Sequence, residues 1–418
     1  MKILIKNIKQ LVQTEELPRI KVTGAEMKNI ASVSDAWLAI EDDKIAGFGK
    51  MEDWEGISDW TNLTIIDASD KIVMPCYCDS HTHIVYAGSR EGEFVDRING
   101  LSYEQIFERG GGILNSAKKL SDATEDELIE SALKRLNEIM LQGTGAVEIK
   151  SGYGLSIEAE LKMLRVIKKL KAISPLTIKA TFLGAHAVPS EYKNDKQTYI
   201  DIIINEMMPR IEAEQLADYC DIFCEQNYFT KEEAIKILTA GKKHGMTPKV
   251  HAEQLSNSGG VLAGVEVGAL SVDHLEFVGD KEIDALRNSK TMPTILPGAA
   301  FFLNLPFPPA RKMMDAGLAL AVASDYNPGS SPSGNMNFML SLCCLQYKMT
   351  PEEAINAATI NSAYAMDLSK THGSIAVGKQ ANVFITKEIP SYAYIPYSFG
   401  SNLIETVIIS GKIVTGRQ

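Results

Sequence analysis

Seven histidines occur in this 418-residue chain, and five of them, His81, His83, His186, His251 and His274, stand at or just past the end of a short apolar run. In His81-Thr82-His83 the two imidazoles are two residues apart. Extended backbone sends alternate side chains to the same face, so both rings can reach one cation, while Thr82 faces elsewhere. His251 follows the run Pro248 to Val250, and Asp325 follows Leu318 to Ala323. His81, His83, His251 and Asp325 together offer three imidazoles and a carboxylate. That set suits one divalent metal ion, Zn2+ or Fe2+, with room for a water. Any one of these histidines alone reads as an ordinary hydrogen-bonded residue, and an HxH pair arises by chance; the five together point to a metal. His274, in Val272-Asp273-His274, reads as an acid or electrophile rather than a fifth ligand, its bland alternative being a satisfied core histidine. His244 and His372 sit beside Gly245 and Gly373 and read as helix-end or turn residues.

Positioning such residues requires strands whose ends converge. Eight apolar segments qualify: Ile72 to Cys78, Gly145 to Ile149, Ile178 to Leu183, Tyr219 to Phe223, Pro248 to Val250, Ser271 to Asp273, Met292 to Leu296 and Leu318 to Ala323. Amphipathic helices intervene, among them Thr124 to Leu141, Ile157 to Lys171, Lys231 to His244 and Pro351 to Met366. Eight alternating units predict an α/β protein, a (β/α)8 barrel of the TIM type over residues 73–372, with its active site at the C-terminal ends of the strands. An open doubly wound sheet loses support because no GxGxxG follows the early strands. Residues 1–72 and 373–418 show short strands instead: Ile3 to Ile8, Trp37 to Ile40, Lys44 to Gly47 and Thr64 to Asp67, then Ala381 to Thr386 and a hairpin of Thr406 to Ile409 with Lys412 to Thr415. The two ends are expected to share one small β-sheet domain.

Bulk composition narrows the function. With 45% hydrophobic and 23% charged residues the chain can bury a large core. A net charge of -11 repels nucleic acid and anionic membranes over long range, so neither is an expected partner, and an anionic substrate must be held by local cations. The six cysteines form no CxxC pair and read as reduced core thiols. Met1 to Gln13 has no long apolar stretch, and no segment holds about 18 apolar residues in a row, so the expected location is the cytoplasm.

Five longer motifs carry a resemblance: Asp79-Ser-His-Thr-His83-Ile-Val-Tyr-Ala-Gly-Ser-Arg90-Glu-Gly-Glu-Phe94, Gly110-Gly-Gly-Ile113, Glu148-Ile-Lys-Ser-Gly-Tyr-Gly154, His251-Ala-Glu-Gln254 and Ser324-Asp-Tyr-Asn-Pro-Gly-Ser-Ser331. They resemble the imidazolonepropionase family, and the similarity runs through the whole chain. Amidohydrolases in general share the HxH, the two later histidines and the aspartate, but not the Arg90 segment or the Ser-Gly-Tyr-Gly loop.

The resemblance implies hydrolytic opening of 4-imidazolone-5-propanoate to N-formimino-L-glutamate, in a homodimer. Arg90 would then clamp the propionate carboxylate with two parallel hydrogen bonds, its bland alternative being a salt bridge to Glu91 or Glu93. Tyr153 and His186 match substrate-contacting positions, as does the Asn327-Pro328-Gly329-Ser330 turn, and Tyr103 would assist them. With water activated at the cation, Asp325 would take its proton, His274 would steady the developing oxyanion, and Gln254 would hold the ring amide. Gly110 to Gly112 fit a mobile lid or a plain flexible loop. Two departures stand out. Cys76 occupies a position usually glycine, and Gln254 one that is glutamate in some members, so it can hydrogen-bond but not act as a base. Two other readings are an aminohydrolase acting on a heterocycle, disfavoured because Gln254 cannot protonate a ring nitrogen, and a noncatalytic scaffold, disfavoured because all four ligands are present.

Overall fold

The computed structural model describes residues 1–57, 61–101, 105, 109 and 111–414. The chain opens with β1 (Lys2–Val12), β2 (Ser32–Glu41), β3 (Lys44–Lys50), β4 (Leu63–Asp67) and β5 (Lys71–Pro75). It then enters eight parallel strands, β6 (Tyr77–Thr82), β7 (Thr144–Lys150), β8 (Thr177–Ala185), β9 (Tyr219–Cys224), β10 (Thr247–Ala252), β11 (Ser271–His274), β12 (Met292–Ile295) and β13 (Ala321–Val322), hydrogen-bonded in sequence order. It ends with β14 (Val383–Glu388), β15 (Ile404–Ile409) and β16 (Lys412–Val414).

The first and last strands interleave in one eight-stranded sheet, ordered β16-β15-β14-β5-β1-β2-β3, with β4 also on β1. Segments more than 300 residues apart pair directly, as in Phe384 opposite Met74. The segment Ile72 to Cys78, expected as one barrel strand, is divided. Its first half, β5, pairs with β1 and β14, so the sheet extends to Pro75, past the expected division at 72/73, and only β6 joins the barrel. The period of two explains the split: Ile72 and Met74 enter the barrel's core cluster, while Val73 packs among Ile3, Ile5, Leu38 and Val383 of the sheet. Proline at 75 and Cys76 make the junction. Cys76 is accommodated because residue 145 is glycine; a Cβ there would lie 2.6 Å from the Cys76 Cβ.

Closure of the barrel occurs beside the candidate site. Past the short β13, the Asp325 N–H donates to the His81 carbonyl at 3.0 Å and the His83 N–H to the Tyr326 carbonyl at 2.9 Å. The helices fall where periodicity placed them. Glu125–Leu141 and Lys231–Lys243 begin with reciprocal capping boxes, Thr124 with Glu127 and Thr230 with Glu233. The last expected helix runs Pro351–Asn356, widens to a π-type turn over Ala357–Asn361 and resumes over Ser362–Ala365. All six cysteines are free thiols, five of them buried. Among the described residues no helix is long and apolar enough to cross a membrane.

Candidate active site

The five strand-end histidines form one cluster at the top of the barrel. Ring centroids are 4.4 Å apart for His81 and His251, 5.3 Å for His81 and His83, and 5.6 Å for His83 and His251. Asp325 Oδ1 lies 3.5 Å from Nε2 of both His81 and His83. Two groups sharing His81 hold their donor atoms within 4.8 Å of one another: His81, His83 and Asp325, and His81, His251 and His274. His274 therefore stands as close to His81 and His251 as a ligand would, a placement the spacing of residues in the chain did not distinguish.

These residues fit a divalent cation. His81 Nε2, His83 Nδ1, His251 Nε2 and His274 Nδ1 are buried without a hydrogen-bond partner, while His251 Nδ1 faces Asp221 Oδ2 at 3.1 Å. Each orphaned polar atom costs about 1–3 kcal/mol unless something binds it. Burial, helped by neighbouring histidines, drives the pKa of His81 and His83 well below the usual imidazole range. Both are thus neutral, the state in which imidazole binds metal. The backbone is also forced here: His274 (φ 89°), Leu275 (φ 74°), Glu253 (φ 52°) and Asp325 (φ 54°) all occupy left-handed conformations. Such strain in non-glycine residues costs of order 1–3 kcal/mol each and collects at functional sites.

A cavity of about 200 Å³ opens over the cluster, lined by His83, His251, His274 and Asp325 at its floor and by Arg90, Tyr153, His186, Gln254, Asn327, Gly329 and Ser330 on its walls. Every described candidate residue but one lines it: His81 is fully buried beneath, and Tyr103 lies outside the described residues, as does Gly110 of the glycine loop. Arg97, Phe223 and Tyr228 also line it and were not anticipated, as does Glu93, expected only as a salt-bridge partner of Arg90. Arg90 forms the salt bridge that the bland alternative expected. Its Nε and Nη2 donate to Glu93 Oε2 at 2.9 and 2.5 Å, and Glu93 Oε1 accepts from the Gly112 N–H. One edge of the guanidinium is therefore engaged, while Nη1 lies against Gly329.

Tyr153 is held by a device that no motif announced. Glu160, buried in the helix Ile157–Ile173, accepts from the N–H groups of Gly152, Gly154 and Leu155 at 2.6–3.2 Å. Glycine is needed at 154 because a Cβ would collide with the Glu160 backbone, and at 152 because φ is 106°. The loop in turn orients His186, whose Nδ1 lies 3.1 Å from the Gly152 carbonyl and donates to it, leaving Nε2 as the acceptor. Burial lowers the His186 pKa to about 3, so this imidazole is neutral. Removing the carboxylate in Glu160→Ala would orphan three buried N–H groups. The expected loss of stability is about 3 kcal/mol or more, read as a lowered urea midpoint.

The tetrad His251-Ala252-Glu253-Gln254 resolves as well. Gln254 lines the cavity, whereas Glu253 turns away and accepts from the N–H groups of Gly259 and Val261. Burial raises its pKa to about 8. The neighbouring carboxylate thus does not replace the base that Gln254 lacks.

The chain is similar along its length to known proteins. The amidohydrolase family profile matches residues 72–414. An imidazolonepropionase from Christiangramia forsetii is 58% identical over 99% of this chain and 100% of its own length. One from Alkaliphilus oremlandii is 41% identical over 98% of this chain and 97% of its own. Guanine deaminase from E. coli superposes with a TM-score of 0.75 at 13% identity over the full length of both chains, a likeness of fold alone. A near-closed parallel barrel with converging histidines and relatives of this identity lead to one conclusion: the chain belongs to the amidohydrolase family and, within it, to the imidazolonepropionases, hydrolases of carbon–nitrogen bonds.

Proposed function

We propose that this chain opens the ring of 4-imidazolone-5-propanoate by hydrolysing its C–N amide bond, giving N-formimino-L-glutamate, and that His81, His83, His251 and Asp325 hold the one divalent cation required, zinc or ferrous iron. The observation that carries the reading is a single cavity with a histidine and carboxylate floor and two guanidiniums, Arg90 and Arg97, in its wall. When bound, the cation acts as a Lewis acid and lowers the pKa of water towards about 7.

The remaining work belongs to side chains. Burial raises the Asp325 pKa above the ordinary carboxylate range, partly offset by His274 and His251, which makes Asp325 Oδ2 a better proton acceptor for the attacking water. Ser330 Oγ, 3.2 Å from that oxygen, holds it in place. His274 has its pKa lowered to about 4 by burial, so it serves as a neutral hydrogen-bond donor to the developing oxyanion. Gln254 presents an amide to the ring, and the proton held by Asp325 passes to the departing ring nitrogen. Tyr153, kept protonated by burial, and His186 Nε2 offer one donor and one acceptor to the substrate's polar edge.

Arg90 takes the propionate carboxylate. Because Glu93 occupies its Nε and Nη2 edge, the substrate either displaces Glu93 or uses Nη1. Arg90→Lys keeps the charge but loses the planar fork. The expected result is a rise in KM of about 10- to 100-fold, from 1.5–3 kcal/mol of charge-assisted hydrogen bonding, with kcat changed less. A variant with wild-type KM would move the carboxylate to Arg97.

The test of the reading is disappearance of imidazolonepropionate absorbance with the metal-replete protein. No turnover overturns it, and ammonia released from a nucleobase instead would favour an aminohydrolase. Cytoplasmic location and a homodimer belong to the same proposal; light scattering at twice the 45.8 kDa chain mass would support the dimer.

A further inference from the structure

Beneath the histidine cluster lies a buried set of charges that takes no part in the steps above. Lys150 Nζ donates to Asp221 Oδ2 at 2.7 Å and to Glu148 Oε1 at 2.5 Å, and stands 3.8 Å from Asp273 Oδ2. All four side chains are fully buried. The two aspartate oxygens that face Lys150 also face the imidazoles. Asp273 Oδ2 lies 2.7 Å from His81 Nδ1, and Asp221 Oδ2 lies 3.1 Å from His251 Nδ1. His81 and His251 stand on β6 and β10, strands that are not neighbours in the barrel, yet their rings are 4.4 Å apart. A carboxylate at Nδ1 keeps the proton there and turns the Nε2 lone pair inward, which fixes tautomer and ring angle together.

We propose that Lys150 is the positioning residue of the metal site: its one ammonium ties the carboxylates that orient His81 and His251, and so sets how tightly those two rings grip the ion. Lys150 itself touches neither substrate nor ion. Without it, three buried carboxylates, Glu148, Asp221 and Asp273, would be left with Lys249, which is engaged by Glu148 and by the carbonyls of Ser80 and Ala365. Asp221 and Asp273 would then lose the charge that holds them in place, and buried carboxylates deprived of their partner do not keep one geometry. Glu148 and Lys150 occupy alternate positions of β7, and Lys249 precedes His251 by two, so all three face the barrel interior by the same period of two that presents the ligands.

This inference rests on the ligand set proposed above, and the test separates the two. Zinc affinity of the full-length protein would be measured by competition with a chromophoric chelator, and ligand geometry from the visible spectrum of the cobalt-substituted protein. Lys150→Met is expected to weaken zinc by about 10- to 100-fold and to shift the cobalt bands, with Lys150→Arg restoring part of both. Lys379→Met removes another buried lysine, one bonded to the His372 carbonyl and Ser374, and is expected to lower the unfolding temperature without changing zinc affinity. If Lys150→Met does not fold, Asp221→Asn and Asp273→Asn keep the shape and are each expected to weaken zinc. Wild-type affinity and spectrum in Lys150→Met, or in both asparagine variants, overturn the role, as does equal weakening in Lys379→Met. A wild-type protein that takes up no zinc or cobalt overturns the ligand set, and the inference with it.

Discussion

Asp325→Asn is expected to cut kcat by about 10²- to 10⁴-fold while the metal stays bound. Asparagine has the same shape and still presents an oxygen where Asp325 Oδ1 sits, 3.5 Å from His81 and His83. Its backbone position is unchanged too, because it is set by the N–H to the His81 carbonyl and by Asn327 Nδ2, which donates to the Asp325 carbonyl at 2.6 Å. What the amide cannot do is accept a proton from water and return it to the leaving nitrogen. At 1.36 kcal/mol per factor of ten, the loss corresponds to about 3–5 kcal/mol of barrier. The check is kcat measured beside metal content by elemental analysis. Near-normal turnover with full metal would remove Asp325 from the proton path.

Removing the metal is expected to abolish turnover and to soften the protein. Chelation would leave His81 Nε2, His83 Nδ1 and His251 Nε2, which no protein atom partners, and the buried Asp325 carboxylate without the ion they are proposed to hold. A ligand present at 1,000 times its Kd stabilises the folded state by about 4 kcal/mol, and that contribution disappears with it. Scanning calorimetry before and after dialysis against a chelator should therefore show a fall in Tm of several degrees. Adding back zinc or ferrous iron should restore both Tm and turnover, and whichever metal gives the higher kcat identifies the working ion. Full activity with no bound metal would discard the ligand set.

Much of this was legible because strands and barrel ends impose simple rules. An HxH pair in extended backbone shares a face, and histidines at the ends of parallel strands must meet at one rim, so His81, His83, His251, His274 and His186 were visible from type and position. The boundary at Ile72 to Cys78 was not, since a run buried on both faces looks the same whether its neighbours belong to a sheet or a barrel; only pairing with β1 and β14 assigned Lys71–Pro75 to the sheet. Arg97 escaped notice, and Glu93 was read only as a salt-bridge partner of Arg90, because a helix of alternating charges reads as a solvated face until the turn at Asn327 to Ser330 is placed against it. Lys150, Asp221 and Asp273 escaped because single charged residues inside apolar strands carry no spacing signal.

Taken alone, the sequence determined which residues could bind a metal, that eight strand and helix units would bring them to one rim, and which relatives share them. Those follow from local periodicity, which acts within a few residues. Tertiary structure alone decided that Glu253 turns onto the N–H groups of Gly259 and Val261, that Glu160 holds the Tyr153 loop, that Glu93 takes the Nε and Nη2 edge of Arg90, and that Lys150 underlies two ligands on separate strands. Each of these depends on contacts between remote parts of the chain. They are set by packing density and by the demand that every buried charge and N–H find a partner, a condition only the closed barrel can fix.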